Sequence, residues 1–174
     1  IKITIPIALI SAMAIGFTAF LNIGKFDRTL SDLEKSRLQF VVSDIKANLE
    51  TGLTLGLHLK SLENAQSVID HQAKEDANIL VIVIHDENGA ILFHSGTTTM
   101  PSTIPNAWRQ AAKGVGERSW YLKEKIEKIE NNEGNSLVVA STLAGGISQD
   151  VGGVAIRYSM DAHQNTLLAV QQKL

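Results

Sequence analysis

The sequence predicts an α+β fold in which a long N-terminal helix and a second helix precede a five-stranded antiparallel sheet flanked by helices. Three observations point there. Residues 3–24 carry no charge and lead into an amphipathic run with helical spacing. A β-branched run at 79–85 leads into an Asp-Glu-Asn-Gly turn. A short helical pattern and three further strand-like stretches follow.

Ile5, Ile7, Leu9, Ile10, Met13, Ile15, Phe17, Phe20, Leu21 and Ile23 leave the first segment apolar on every face. At ~1.5 Å per residue the run matches the ~30 Å hydrocarbon core of a bilayer. A soluble helix would show a polar stripe, and none is present. Lys2 on one side and Lys25, Asp27 and Arg28 on the other supply polar ends, while Pro6 falls in the opening turns, where proline is tolerated. Residues 1–25 are therefore expected to form a transmembrane anchor. A cleaved signal peptide is the first alternative, since Ala12-Met13-Ala14 offers a small-x-small site, although the apolar run continues well past it. A buried core helix is the second. The flanking charges are too balanced to fix orientation, so an outward-facing domain is inference. The chain is expected to be a piece of a longer protein.

From Phe26 the pattern turns amphipathic. Leu30, Leu33, Leu38, Val41, Ile45 and Leu49 recur among Asp32, Glu34, Lys35, Arg37, Asp44, Lys46 and Glu50, predicting a long helix over 26–58 continuous with the anchor. Its stripe requires a partner, either its own domain or the same helix of a second chain. Gly52 and Gly56 loosen the helix near its end, because each glycine costs ~1 kcal/mol relative to alanine in a helix interior. A second helix is predicted from about Leu59 to Glu75, with Leu62, Ala65, Gln66, Ile69 and Ala73 on one side.

Ile79 to His85 is β-branched almost throughout, with apolar residues on both faces, as in a central strand covered on both sides. Asp86-Glu87-Asn88-Gly89 supplies the Asn-Gly pair favoured in tight hairpins, and Ala90 to Ser95 returns as the second strand. Gly96 to Pro105 is a loop, and Asn106 to Lys113 a short helix capped by Asn106. Strands are predicted at 118–129, 137–143 and 154–160, with 144–153 turning between the last two and Gly145, Gly146, Gly152 and Gly153 as turn glycines. The mixed-charge stretch 123–130 reads as a solvated strand or a local helical turn. A final helix is predicted over 161–174.

The net charge of −2, with no basic cluster, excludes an electrostatic footprint for nucleic acid. The absence of cysteine removes disulfides, thiolate metal sites and cysteine nucleophiles. The five histidines, at 58, 71, 85, 94 and 163, form no i, i+4 pair, and His85 and His94 do not pair directly across the hairpin. No nucleophile motif, Walker pattern or dinucleotide fingerprint is present. The sequence thus points to no catalytic residue, metal or cofactor.

Two stretches carry a resemblance. Residues 79–95, ILVIVIHDENGAILFHS, form a strand, an Asp-x-Asn-Gly turn and a strand; residues 138–161, VVASTLAGGISQDVGGVAIRYSMD, form a closing pair ending in a Gly-Gly-Val strand. Together with the element order over 26–174, they resemble the single Cache or PAS-like extracytoplasmic sensor domains of bacterial receptors. The resemblance implies an anchor at 1–25, a sensor domain at 26–160 with a PAS-like sheet, and an exit helix at 161–174 leading to a second span. It further implies a periplasmic domain on the inner membrane of a histidine kinase, chemoreceptor or cyclase; the stripe of the long helix adds the expectation of a homodimer through it.

The polar residues that the sheet could aim at a pocket are Arg118, Trp120, Tyr121, Lys123, Ser141, Arg157 and Tyr158. Cationic and aromatic groups over an apolar concavity suit a carboxylate-bearing small molecule, since arginine offers a two-pronged donor and rings bury apolar area. The function expected is ligand sensing and signalling; the alternative is a structural or interaction domain that binds no ligand and assembles with another membrane protein.

Overall fold

The computed structural model describes residues 4–113, 119–127, 133–145 and 150–161. It contains helix α1 (Thr4–Thr54), a 3-10 turn (Leu59–Ser61), α2 (Ala65–Glu75), the hairpin β1 (Ile79–Asp86) and β2 (Ile91–Gly96), α3 (Asn106–Lys113), and strands β3 (Ser119–Glu127), β4 (Glu133–Ala144) and β5 (Asp150–Ser159). By contact the chain divides into two units, Ile1–Arg37 and Leu38–Leu174.

In the first unit α1 is already helical at Thr4. Met13, Ile15 and Phe17 are exposed, and the Thr18 hydroxyl donates to the Ala14 carbonyl at 2.8 Å, turning its polar group inward on the helix. Most side chains of the expected anchor lie outside the described residues. Among the described residues no helix is long and apolar enough to cross a membrane.

In the second unit the apolar stripe of α1 is Leu38, Val42, Ile45, Leu49 and Leu53, all buried. Their steps of three and four residues follow the helical repeat. Leu33, expected in that stripe, belongs to the first unit and is 64% exposed. Val41 lies at the flank of the stripe, partly buried. The predicted second helix is split, its first part being the 3-10 turn and α2 starting at Ala65. The break lets Leu59 and Leu62 both bury, with Leu62 filling the space beside Gly52 where a Cβ would stand 2.6 Å from its Cδ2.

The sheet order is β2-β1-β5-β4-β3, every neighbouring pair antiparallel. In β1, Val81, Ile82, Val83 and Ile84 are fully buried, because alternate residues meet cores on opposite faces. One core joins Ile82, Ile84, Val139, Ile156 and Tyr158 to α1 and α2. The other joins Val81, Val83, Val138, Ala140 and Ala155 to Trp108 of α3 and Ile104 of the preceding loop.

The β1–β2 loop holds one more residue than a two-residue turn. Asp86 and Ala90 bond through Asp86 N–H and Ala90 C=O at 2.9 Å, and Gly89, at φ 78°, takes the left-handed position. The Asp86 carboxylate accepts from the Asn88 and Ala90 N–H groups at 3.0 and 2.8 Å. His94 faces Val83 and His85 faces Ile91, so the two histidines are not cross-strand partners. Helix α3 covers the predicted residues, but Asn106 is its first residue, and the Trp108 and Arg109 N–H groups bond to the Pro105 carbonyl.

Strand β5 begins at Asp150, so Gly152 and Gly153 are strand residues and not the turn glycines expected. They pair with Asp86 and His85 of β1. A Cβ on Gly152, at φ 153°, would run into the His85 carbonyl, and one on Gly153 would stand 2.6 Å from His85 Nε2. The close approach of the β1 backbone requires Gly152, while Gly153 leaves room for the His85 ring. Gly146 and the helix predicted beyond Asp161 lie outside the described residues.

Candidate functional site

Helix α3 is strongly one-sided, and its buried face delivers Trp108, fully enclosed, to the sheet. The indole N–H of Trp108 donates to Glu124 Oε1 of β3 at 2.8 Å. Arg157 Nη2 of β5 donates to the other carboxylate oxygen, also at 2.8 Å. The Arg157 guanidinium lies 5.0 Å from the centre of a Trp108 ring, within cation–π range. Trp120 of β3 meets Trp108 edge-on, with centroids 6.3 Å apart. Arg157 Nη1 also reaches Met100 Sδ at 4.0 Å.

The Arg157–Glu124 pair is mostly shielded, its side chains 12% and 17% exposed. A charge pair so withdrawn from water is tolerated when hydrogen bonds serve the rest of each group. Here the service is incomplete: Arg157 Nε is buried with no hydrogen-bond partner.

A second cationic group, Arg109 of α3, follows Trp108 directly. Its guanidinium lies over Gly89, and its Nε is likewise buried without a hydrogen-bond partner. His85, whose ring stands over Gly153, is close enough for Arg109 to influence it. Burial holds the His85 imidazole below its ordinary pKa; the Asp86 carbonyl and carboxylate oppose that shift, and Arg109 adds to it. The His85 Nδ1 is 2.8 Å from the Asp86 carbonyl oxygen.

Of the residues expected to form a site, Trp120 and Arg157 are brought together. Tyr121 and Lys123 alternate to the opposite side of β3 and are exposed. Ser141 is buried on the α1 side, lining a crevice of about 320 Å³ with Ser43, Lys46 and Ser119. Tyr158 belongs to the α1-side core. Arg118 lies outside the described residues. Strand alternation accounts for the division, since neighbouring residues cannot share a face. Trp108 and Glu124 join the site without having been expected there, while Arg109 and His85 form a separate group near Gly89 and Gly153. Period-two counting from Trp120 through Leu122 to Glu124 was the available signal for Glu124.

No family model matches the sequence, and no curated protein matches it. Solved structures do. The ligand-binding domain of the Campylobacter jejuni chemoreceptor Tlp3, in complex with L-valine, aligns with a TM-score of 0.54 at 13% identity, covering 79% of this chain and 56% of that one. The periplasmic sensory domain of the C. jejuni chemoreceptor Tlp1 aligns with a TM-score of 0.53 at 13% identity, covering 83% and 60%. This chain thus spans less than two thirds of either. At such identity the likeness is one of fold: the five-stranded antiparallel sheet with flanking helices is shared with these two domains.

Proposed function

We propose that the chain is the extracytoplasmic sensing part of a bacterial transmembrane receptor: anchor over 1–25, sensor domain over 26–160 and exit helix over 161–174 toward a second span. It takes a small carboxylate, of which an amino acid is the best fit, on the α3 face of the sheet. The observation that carries this is the Arg157–Glu124 pair against Trp108, with Arg157 Nε left unpartnered. A zwitterion presents the same two charges as that internal pair. Its carboxylate can bond Arg157 and its ammonium Glu124, replacing one charge pair by another and supplying the missing acceptor. Trp108 and Trp120 then offer apolar walls for the rest of the molecule. Sensor likeness of the fold and the L-valine with which the Tlp3 domain is in complex support this reading.

Binding must displace the loop at 97–105 or α3, because Trp108 now fills the face. Such a displacement is the kind of event a receptor can transmit, since a ligand shifts an equilibrium only by its differential affinity for two arrangements. Exposed Met13, Ile15 and Phe17 support the anchor. Phe40, an apolar side chain 76% exposed on the long helix, supports a homodimer in which a second copy covers it.

The complete enclosure of Trp108 also favours a second reading, a structural or interaction domain whose α3 face is simply core. Thermal denaturation across the protein amino acids and short mono- and dicarboxylates separates the two. A ligand at ~100 times its Kd stabilises the native state by about 2.7 kcal/mol, and the shift should vanish in Arg157→Met. If no compound raises the melting temperature, the sensing proposal fails and the second reading takes its place.

A further inference from the structure

The described pairing of β3 with β4 ends at Ser119 and Ser141, yet β4 continues to Ala144. Two backbone groups of that last stretch are taken by side chains of α1. Lys46 Nζ donates to the Thr142 carbonyl at 2.6 Å, and Glu50 Oε1 accepts from the Ala144 N–H at 2.7 Å. Lys46 and Glu50 also pair with each other at 3.2 Å, with side chains 17% and 26% exposed.

The spacing is matched. Residues four apart on a helix stand ~6 Å apart along its axis, and residues two apart on a strand ~6.6 Å apart. One helical step therefore spans one strand step, and both bonds form in a single alignment of α1 on the sheet. A slide of α1 that releases the pair takes the acceptor from the Ala144 N–H and one of two donors from the Thr142 carbonyl, which also accepts from the Ser141 hydroxyl at 3.4 Å. Positions between bonded and released are disfavoured. Pairing of β4 with β5 also shifts register between Leu143 and Ala144, so the latched end of β4 is the irregular end of the strand.

We infer that Lys46 and Glu50 are positioning residues that latch the 38–54 portion of α1 to the end of β4, making its movement on the sheet a two-state event. In a receptor of the kind proposed above, this is where displacement of the sheet enters the long helix. The latch itself is tested without ligand, so failure of the ligand panel leaves its test intact.

The test is amide hydrogen exchange of the full chain in mild denaturant. In the wild type, Ala144 and the α1 amides at 47–54 are expected to open together. In Lys46→Met/Glu50→Ala, Ala144 should exchange about tenfold faster, with α1 opening separately from β4. Glu50→Gln, which retains an acceptor for Ala144, should restore most of its protection. Independent opening of α1 and Ala144 in the wild type would overturn the proposal. So would a double variant that loses stability while the two segments still open as one.

Discussion

The Arg157 guanidinium stands 5.0 Å from the centre of a Trp108 ring while both side chains bond the same carboxylate, that of Glu124. Helix α3 and strands β3 and β5 therefore converge on one acidic side chain. Glu124→Ala leaves a guanidinium and an indole N–H shielded without their acceptor, and should destabilise the domain by about 3 kcal/mol. Trp108→Phe loses one hydrogen bond, about 1 kcal/mol, and adds the cost of the cavity that the smaller ring leaves at a fully buried position. Urea unfolding measures both; a loss below about 1 kcal/mol in Glu124→Ala would show that Glu124 does not serve two donors.

Gly153→Ala should be tolerated only with a shift of the His85 ring, because the new methyl would stand 2.6 Å from Nε2 and 3.1 Å from the Ser141 carbonyl. Crowding of this kind costs about 1–3 kcal/mol. Gly152→Ala meets the His85 carbonyl and adds backbone strain, so its loss should be larger. Melting temperatures of the two variants test the order, and the His85 ring resonances should move in Gly153→Ala.

Acidification should weaken the fold through His85. Its folded-state pKa is lowered by burial, so the unfolded chain binds the proton more readily. The stabilisation is fully present above the unfolded value, ~6.5, and is lost as pH falls through that value toward the folded one. The Asp70 carboxyl, held low by bonds from Ser95 and Gln66, acts only further down, below the ordinary aspartate range. Urea midpoints at pH 7.5 and 5.5 should therefore differ less in His85→Asn than in the wild type. An equal pH dependence in both proteins would remove His85 from this role.

Two apolar residues of α1 should behave oppositely. Leu49 is fully buried, and Leu49→Ala should cost about 2–5 kcal/mol. Phe40 is 76% exposed, and Phe40→Glu should lower the melting temperature far less than Leu49→Ala, by no more than dimerisation contributes. In sedimentation of the full chain in detergent, the same variant should convert a dimer to a monomer. A wild type that sediments as a monomer would end the dimer proposal.

The architecture was readable where local chemistry and burial agree. The run at 79–85 forms a central strand because both its faces are covered, and Asp86 to Gly89 turns because Gly89 can take a positive φ. Sequence misled where a residue type has two uses. Gly152 and Gly153 suggested a turn, but they serve a close strand crossing that only the position of β1 reveals. Glu124 lies in a run whose charges suggested solvent, and its role depends on Trp108 arriving from another element. Arg157 with Tyr158, and Trp120 with Tyr121, looked like joint contributors, though the pleat turns each pair to opposite faces.

The order of the sheet has a consequence for biosynthesis. Strand β5 is the last of the five to leave the ribosome, yet it fills the middle of the sheet, between β1 and β4. Until it arrives, the two hairpin-like halves on either side have no common neighbour, and each presents an open, apolar edge. Nascent chains arrested before Asp150 should stay protease-sensitive and in need of a chaperone, with protection gained abruptly once the whole of β5 has emerged.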